Sequence, residues 1–164
     1  MPTNATASWK LFKPKACSNK LKATIQEEVF DELVELVTKA GVLPEDRAAD
    51  ARAALEAREK MASTGVGKGV AIPHVKLEGL ERAVCSLAIH PEGVEWSALD
   101  GEPVQIFFTV LRPADETDEH DPERHLEMMR WISRLARHDD FRRFAIGATK
   151  KTELVDLLKE MAQV

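Results

Sequence analysis

VQIFFTVL, residues 104–111, is a continuous apolar run of β-prone residues. A strand with one wet face alternates apolar and polar side chains. This run does not alternate, so it reads as a central strand covered on both faces. Pro113 marks its end. Working backwards, Val84–Ile89 reads as a second strand, broken by HPEG at 90–93. Val94–Trp96 is a candidate short strand, and LDGEP at 99–103 a turn.

Helical patterns flank this β region. Ile25, Val29, Leu33, Leu36, Val37 and Ala40 recur at helical spacing. Thr24 and Glu27 stand as a capping-box pair at one end, and Gly41 is a stop at the other. Pro44 opens a second, alanine-rich helix over about 45–62. ADETDEHDPER, 114–124, reads as a charged loop, after which Asp121 and Pro122 suit an N-cap and first helical position. A helix then runs to about 137, a short one covers Asp140–Ile146, and a last one Thr152 to about Met161. Interleaved helices and strands around a buried strand predict an α/β layer fold, with helices covering a small sheet. Residues 1–10 read as a loose leader and 11–164 as one domain.

The 164 residues carry 23 basic and 28 acidic side chains, a net charge of −5, with both signs mixed along the chain. That balance argues against nucleic acid or an anionic membrane as the main partner. No stretch approaches a membrane span, and the N-terminus lacks the apolar core of a signal peptide. Cys17 and Cys85 are far apart without ligand spacing, so reduced thiols and a cytoplasmic setting are expected.

Between the helical and β regions lies STGVGKGVAIPH, 63–74. A phosphate-binding loop needs G-x-x-x-x-G-K-[ST], but Lys68 is followed by Gly69. The dinucleotide fingerprint fails because Val70 stands where its last glycine belongs. Local geometry is what remains. Glycines permit positive φ, successive amides can converge on an anion, and the hydroxyls of Ser63 and Thr64 add donors. Ile72, before Pro73, is held extended, which fixes His74 beside this backbone. Read alone, His74 is more often a surface or core histidine at a tight turn between helix and strand. A second histidine, His125, opens a helix whose apolar face is Leu126, Met129, Ile132 and Ala136. His90, His120 and His138 read as surface residues. A metal pair of His120 and His125 lacks the cluster a site needs, so neither metal nor cofactor is expected.

The glycine stretch, with LEARE before it and PEGVEWSALDGEPVQIFFTVLRP after it, resembles the enzyme IIA domain of the fructose/mannitol type. This phosphoenolpyruvate-dependent phosphotransferase family includes the nitrogen-regulatory enzyme IIA proteins. The helix signature His125-Leu126-x-x-Met129-x-x-Ile132-Ser133 supports the likeness, which covers about residues 20–162. The resemblance implies a mixed sheet flanked by helices on both faces. It implies that His74 is phosphorylated on a ring nitrogen, that His125 lies beside it and that Arg58 lies close to it. The catalytic pair is then His74 and His125. Arg58, Ser63, Thr64, Gly65 and Gly67 become candidate phosphate donors. It implies HPr or a nitrogen-type HPr as phosphoryl donor, and a IIB domain or regulatory target proteins as partners. With no IIB, IIC or transcriptional segment fused to the 164 residues, a nitrogen-type regulator is the favoured role. The rivals are a sugar-specific enzyme IIA and a partner-binding regulator without phosphotransfer. The chain departs from the family in Val75 and Lys76 after His74, and in a long 113–125 segment holding six acids.

Overall fold

The computed structural model describes residues 4–164. Ten α-helices and strands follow one another: α1 Gln26–Lys39, α2 Ala48–Met61, β1 Gly65–Gly67, β2 Val70–Ala71, β3 His74–Leu77, β4 Val84–Val94, β5 Val104–Pro113, α3 Pro122–Ala136, α4 Asp139–Ile146 and α5 Lys151–Glu160. β5 is the central strand. On one side β4 pairs with it antiparallel, Cys85 opposite Val110 and Ala88 opposite Phe107. On the other side β2 and β3 pair with it end to end, both parallel: Val70 opposite Ile106, then His74 opposite Val110. β1 closes back on β2 as an antiparallel hairpin. The sheet is mixed, with helices on both faces.

Alternation along β5 assigns its two faces. Ile106, Phe108 and Val110 enter a core with Met128, Trp131 and Ile132 of α3, Phe141 of α4 and Leu154 of α5. Phe107 and Leu111 enter the opposite core, with Phe30 and Leu33 of α1, Leu55 of α2 and Trp96. All five β5 residues are solvent-free, and that double burial is why the segment carries no polar alternation. Ring contacts pin both layers. Phe108 stacks on Phe141 at 5.6 Å, and Trp96 meets Phe107 edge-on at 4.9 Å.

Several expectations are corrected. β4 does not break at HPEG but runs through it to Val94, with a register shift between Ile89 and Val94. The reason is His90, which is buried rather than on the surface. Its Nδ1 accepts from the amides of Glu92 and Gly93 at 3.2 and 3.0 Å, replacing ladder partners lost at the bulge. α1 starts at Gln26 with Ile25 at its N-cap and no side-chain cap, so the Thr24–Glu27 pair does not form. Glu32 instead reaches back to accept from the amides of Lys22 and Ala23. Glu45–Arg47 is a 3₁₀ turn, so the second helix proper begins at Ala48. Asp121 and Pro122 behave as expected, the Asp121 carboxylate accepting from the amide of Glu123 at 2.9 Å. Asn4–Leu11 forms a 3₁₀ helix where a loose leader was expected, while residues 1–3 lie outside the described residues. Trp9 packs on the α3-side core, and Phe12, which follows the 3₁₀ helix, meets Phe108 and Trp131 edge-on.

Candidate functional site

His74 stands where the split strand restarts. β2 ends at Ala71, and Ile72-Pro73 interrupts the ladder before β3 begins. Two bonds hold the interruption: the amide of Ile72 donates to Thr64 O, and that of Val110 to Pro73 O. The carbonyl of Ile72 is left facing the His74 ring, 2.6 Å from Nδ1. A carbonyl only accepts, so Nδ1 carries the hydrogen and Nε2 keeps its lone pair. His74 is half-buried.

Cα partners in a parallel ladder project to the same side, so His74 shares a face with Val110, and Lys76 shares that face with Arg112. Val110 belongs to the core beneath α3, so all four side chains point toward α3. His125 projects from the first turn of that helix. It is only 7% exposed, and its Nδ1 is buried without a partner. Its imidazole is held down to about 4, first by burial, then by the charges of Arg112, His120 and His74. At neutral pH it is therefore an uncharged donor.

His120, expected on the surface, is 8% exposed. Its ring meets that of His125 edge-on at 5.5 Å, and burial followed by Arg112 also lowers its pKa. The acidic segment reaches this position because it folds back onto the molecule. Thr117 Oγ1 donates to the carbonyl of Glu81, and Glu119 pairs with Arg82 at 3.2 Å. His120 and His125 line a cleft of about 190 Å³ together with Ser8, Leu11, Ala83 and Met128. Among the described residues no cluster of three or more histidine, cysteine or acidic side chains is placed to hold a metal ion. His138 is half-buried and accepts from the amide of Phe141 at the start of α4. Both thiols are buried, and burial pushes Cys17 up to about 11 and Cys85 higher still.

The glycine stretch is a hairpin, not an open anion cradle. Lys68 and Gly69 form its two-residue turn, both at positive φ, 59° and 77°. Several of its donors are engaged within the chain. The amide and hydroxyl of Thr64 donate to the two carboxylate oxygens of Glu59 at 2.7 and 2.5 Å. The amide of Gly65 donates to Ser63 Oγ, and the Ser63 hydroxyl to the carbonyl of Trp96. Trp96 Nε1–H closes the network on Thr64 Oγ1. The turn does hold an anion, but it is the chain's own: the amide of Lys68 donates to Asp100 at 2.8 Å, and that carboxylate also lies beside Gly67. Backbone bonds from Lys68 and Glu102 hold the Asp100 carboxyl below its ordinary range. Arg58 Nη1 donates to the carbonyl of Ala62 at the end of its own helix. Reading the residues one by one weighed His120 only as a surface residue or half of a metal pair, and did not single out Glu59 or Arg112. Arg112 left a signal as the single charge in an otherwise uncharged strand.

Residues 10–161 match the family model described as phosphoenolpyruvate-dependent sugar phosphotransferase system, EIIA 2. The chain is 33% identical to the fructose-specific EIIA component of Haloferax volcanii over 138 residues, 84% of this chain and 85% of that protein. It is 36% identical to the nitrogen regulatory protein of Pseudomonas aeruginosa over 117 residues, 71% of each. The crystal structure of nitrogen regulatory protein IIA-Ntr from Neisseria meningitidis superposes with a TM-score of 0.76 at 26% identity, covering 93% of this chain and 99% of that one. IIA mannitol from Escherichia coli shares the fold at 18% identity and a TM-score of 0.66, over 90% of this chain and 98% of that one.

Proposed function

The chain belongs to the EIIA 2 family of the phosphoenolpyruvate-dependent sugar phosphotransferase system, and on that premise we propose that it carries a phosphoryl group on Nε2 of His74. The donor is the phosphohistidine of an HPr or nitrogen-type HPr protein. One observation carries this reading: the 2.6 Å approach of His74 Nδ1 to the Ile72 carbonyl, which fixes the tautomer and aims the lone pair outward. In the step, Nε2 forms a bond to phosphorus while the donor's P–N bond breaks. The electron pair returns to the donor ring, which leaves as neutral imidazole with its other nitrogen protonated. Onward transfer repeats the exchange with His74 as leaving group, a ping-pong scheme. A loose transition state asks the protein mainly for positioning and charge stabilisation. Neutral His125 donates a hydrogen bond to the phosphoryl oxygens. The glycine hairpin, with the amides of Thr64, Gly65 and Lys68 engaged by Glu59, Ser63 and Asp100, serves first to position His74.

Likeness to nitrogen regulatory proteins in both sequence and structure supports a regulatory role, in which phosphorylation state selects protein partners. The fructose-specific relative supports a second reading, onward transfer to a IIB partner. Incubation with enzyme I, HPr and phosphoenolpyruvate should add one acid-labile phosphoryl group by intact mass. Continued labelling of a His74→Ala protein would refute the assignment. Offering the phosphorylated chain to a IIB domain separates the two roles.

A further inference from the structure

Resting on that reading, we propose that Arg112 is a guanidinium that receives the phosphoryl group of His74, besides the Arg58 that the family resemblance implies. The arrangement of β3 and β5 brings the two together. Arg112 lies two residues along β5 from Val110, the partner of His74, on the same sheet face. Strand spacing and rise place the two Cα atoms about 8 Å apart. An arginine side chain spans that distance easily.

The surroundings leave Arg112 without an anion of its own. Its Nε is buried and makes no hydrogen bond, and among the described residues it has no carboxylate partner. Nearby cations differ: Arg82 pairs with Glu119, and Arg124 stands 3.9 Å from Asp121. Arg58 gives one donor, Nη1, to the carbonyl of Ala62 and keeps its others. A buried donor lacking an acceptor asks for an explanation, and an acceptor supplied from outside is one. The charge of Arg112 reaches both His120 and His125, so it acts on the end of α3 where transfer takes place. A guanidinium meets two oxygens of a tetrahedral dianion at once, which the ammonium of Lys76 cannot do.

The test compares phosphoryl transfer from phospho-HPr to wild type, Arg112→Gln and Arg112→Lys, with circular dichroism on each. Losing hydrogen bonds to a charged group slows Arg112→Gln about ten- to a hundredfold, and Arg112→Lys recovers part of the rate by restoring the charge alone. A second measurement needs no variant. In the ¹H–¹⁵N spectrum of wild type, the Arg112 Nε–H signal moves downfield when His74 is phosphorylated, which a purely structural arginine would not show. A phosphorylated wild type with an unmoved Nε–H, or a folded Arg112→Gln protein with an unchanged rate, overturns this inference and leaves the carrier reading intact. Should Arg112→Gln not fold, Arg112→Lys and the wild-type signal decide. A wild type that takes no phosphoryl group overturns the carrier reading and this inference with it.

Discussion

The ring of His120 stands edge-on to that of His125, centroids 5.5 Å apart and planes at 61°, and both are held neutral by burial and by Arg112. Each ring has a buried nitrogen without a partner, His120 Nε2 and His125 Nδ1. Protonating either would add a cation to a buried place already under the charge of Arg112. Asp121 and Glu116 favour the proton at His120, too weakly to offset burial and Arg112.

Acid should therefore destabilise the fold. The folded pKa of His125 is about 4 against an ordinary 6.5, so the unfolded chain binds more protons between those values. Stability from this group is full above pH 6.5 and is lost as pH falls toward 4. Between pH 7 and pH 5 the loss is about 2 kcal/mol, with His120 adding in the same direction. Urea unfolding across that range checks it, with His125→Gln as control. Parallel slopes for the two proteins would exclude His125 as the source.

Phosphorylation should reverse the electrostatics at His125. A phosphohistidine brings nearly two negative charges beside a ring now surrounded by Arg112, His120 and His74. The pKa of His125 is expected to rise from about 4 once His74 is phosphorylated, as followed by its ring carbon-bound proton signals. On the carrier reading proposed above, His125→Ala keeps the nucleophile but loses a hydrogen bond to charge, so transfer is expected to slow about ten- to a hundredfold without stopping. An unchanged rate in a folded variant would make His125 a bystander.

The Glu59 carboxylate is the anchor of the hairpin. Glu59→Ala leaves the amide of Thr64 and its hydroxyl without acceptors, and Trp96 Nε1–H then bonds to a hydroxyl with no fixed direction. Losing charge-assisted bonds at a half-buried site costs about 1.5–3 kcal/mol. Hydrogen exchange at Thr64 should accelerate, and at Ile72 too, since the Ile72 amide donates to Thr64 O. Slower phosphoryl transfer would follow, because the Ile72 carbonyl orients His74. Protection retained at both amides would show that the hairpin holds without Glu59.

What the sequence disclosed and what it hid have physical reasons. β5 was legible because burial on both faces removes polar alternation, and Asp121-Pro122 because a helix cap is a local bond. His90 was read as a turn residue because a side chain substituting for ladder partners leaves no periodic trace. His120 sits among acids that look solvated, and only the fold brings that loop back onto α3. Thr24 and Glu27 have the capping spacing, yet helix α1 starts one position too late to use it. The glycine stretch showed its positive φ but not its occupants. Glu59 and Asp100 engage the amides from outside the 63–74 segment, which spacing within the stretch cannot reveal.

Gly65 gives a sharper test of the hairpin's packing than the turn glycines do. A Cβ there would stand 2.7 Å from the Cβ of Ala98 and 3.0 Å from its Cα. Its φ is not in the left-handed region, so the objection to a side chain is close approach alone. Gly41 is the opposite case, with open space around it and a φ of 78°. Gly65→Ala should therefore push β1 away from residues 96–98, disturbing the Ser63 bond to the Trp96 carbonyl. Overpacking of this kind costs about 1–3 kcal/mol. Ala98→Gly removes the nearer of the two clashing atoms, so the double variant should recover part of the loss. Denaturant unfolding of the two single variants and the double one measures this. Additive losses, with no recovery in the pair, would show that β1 is not held by this contact.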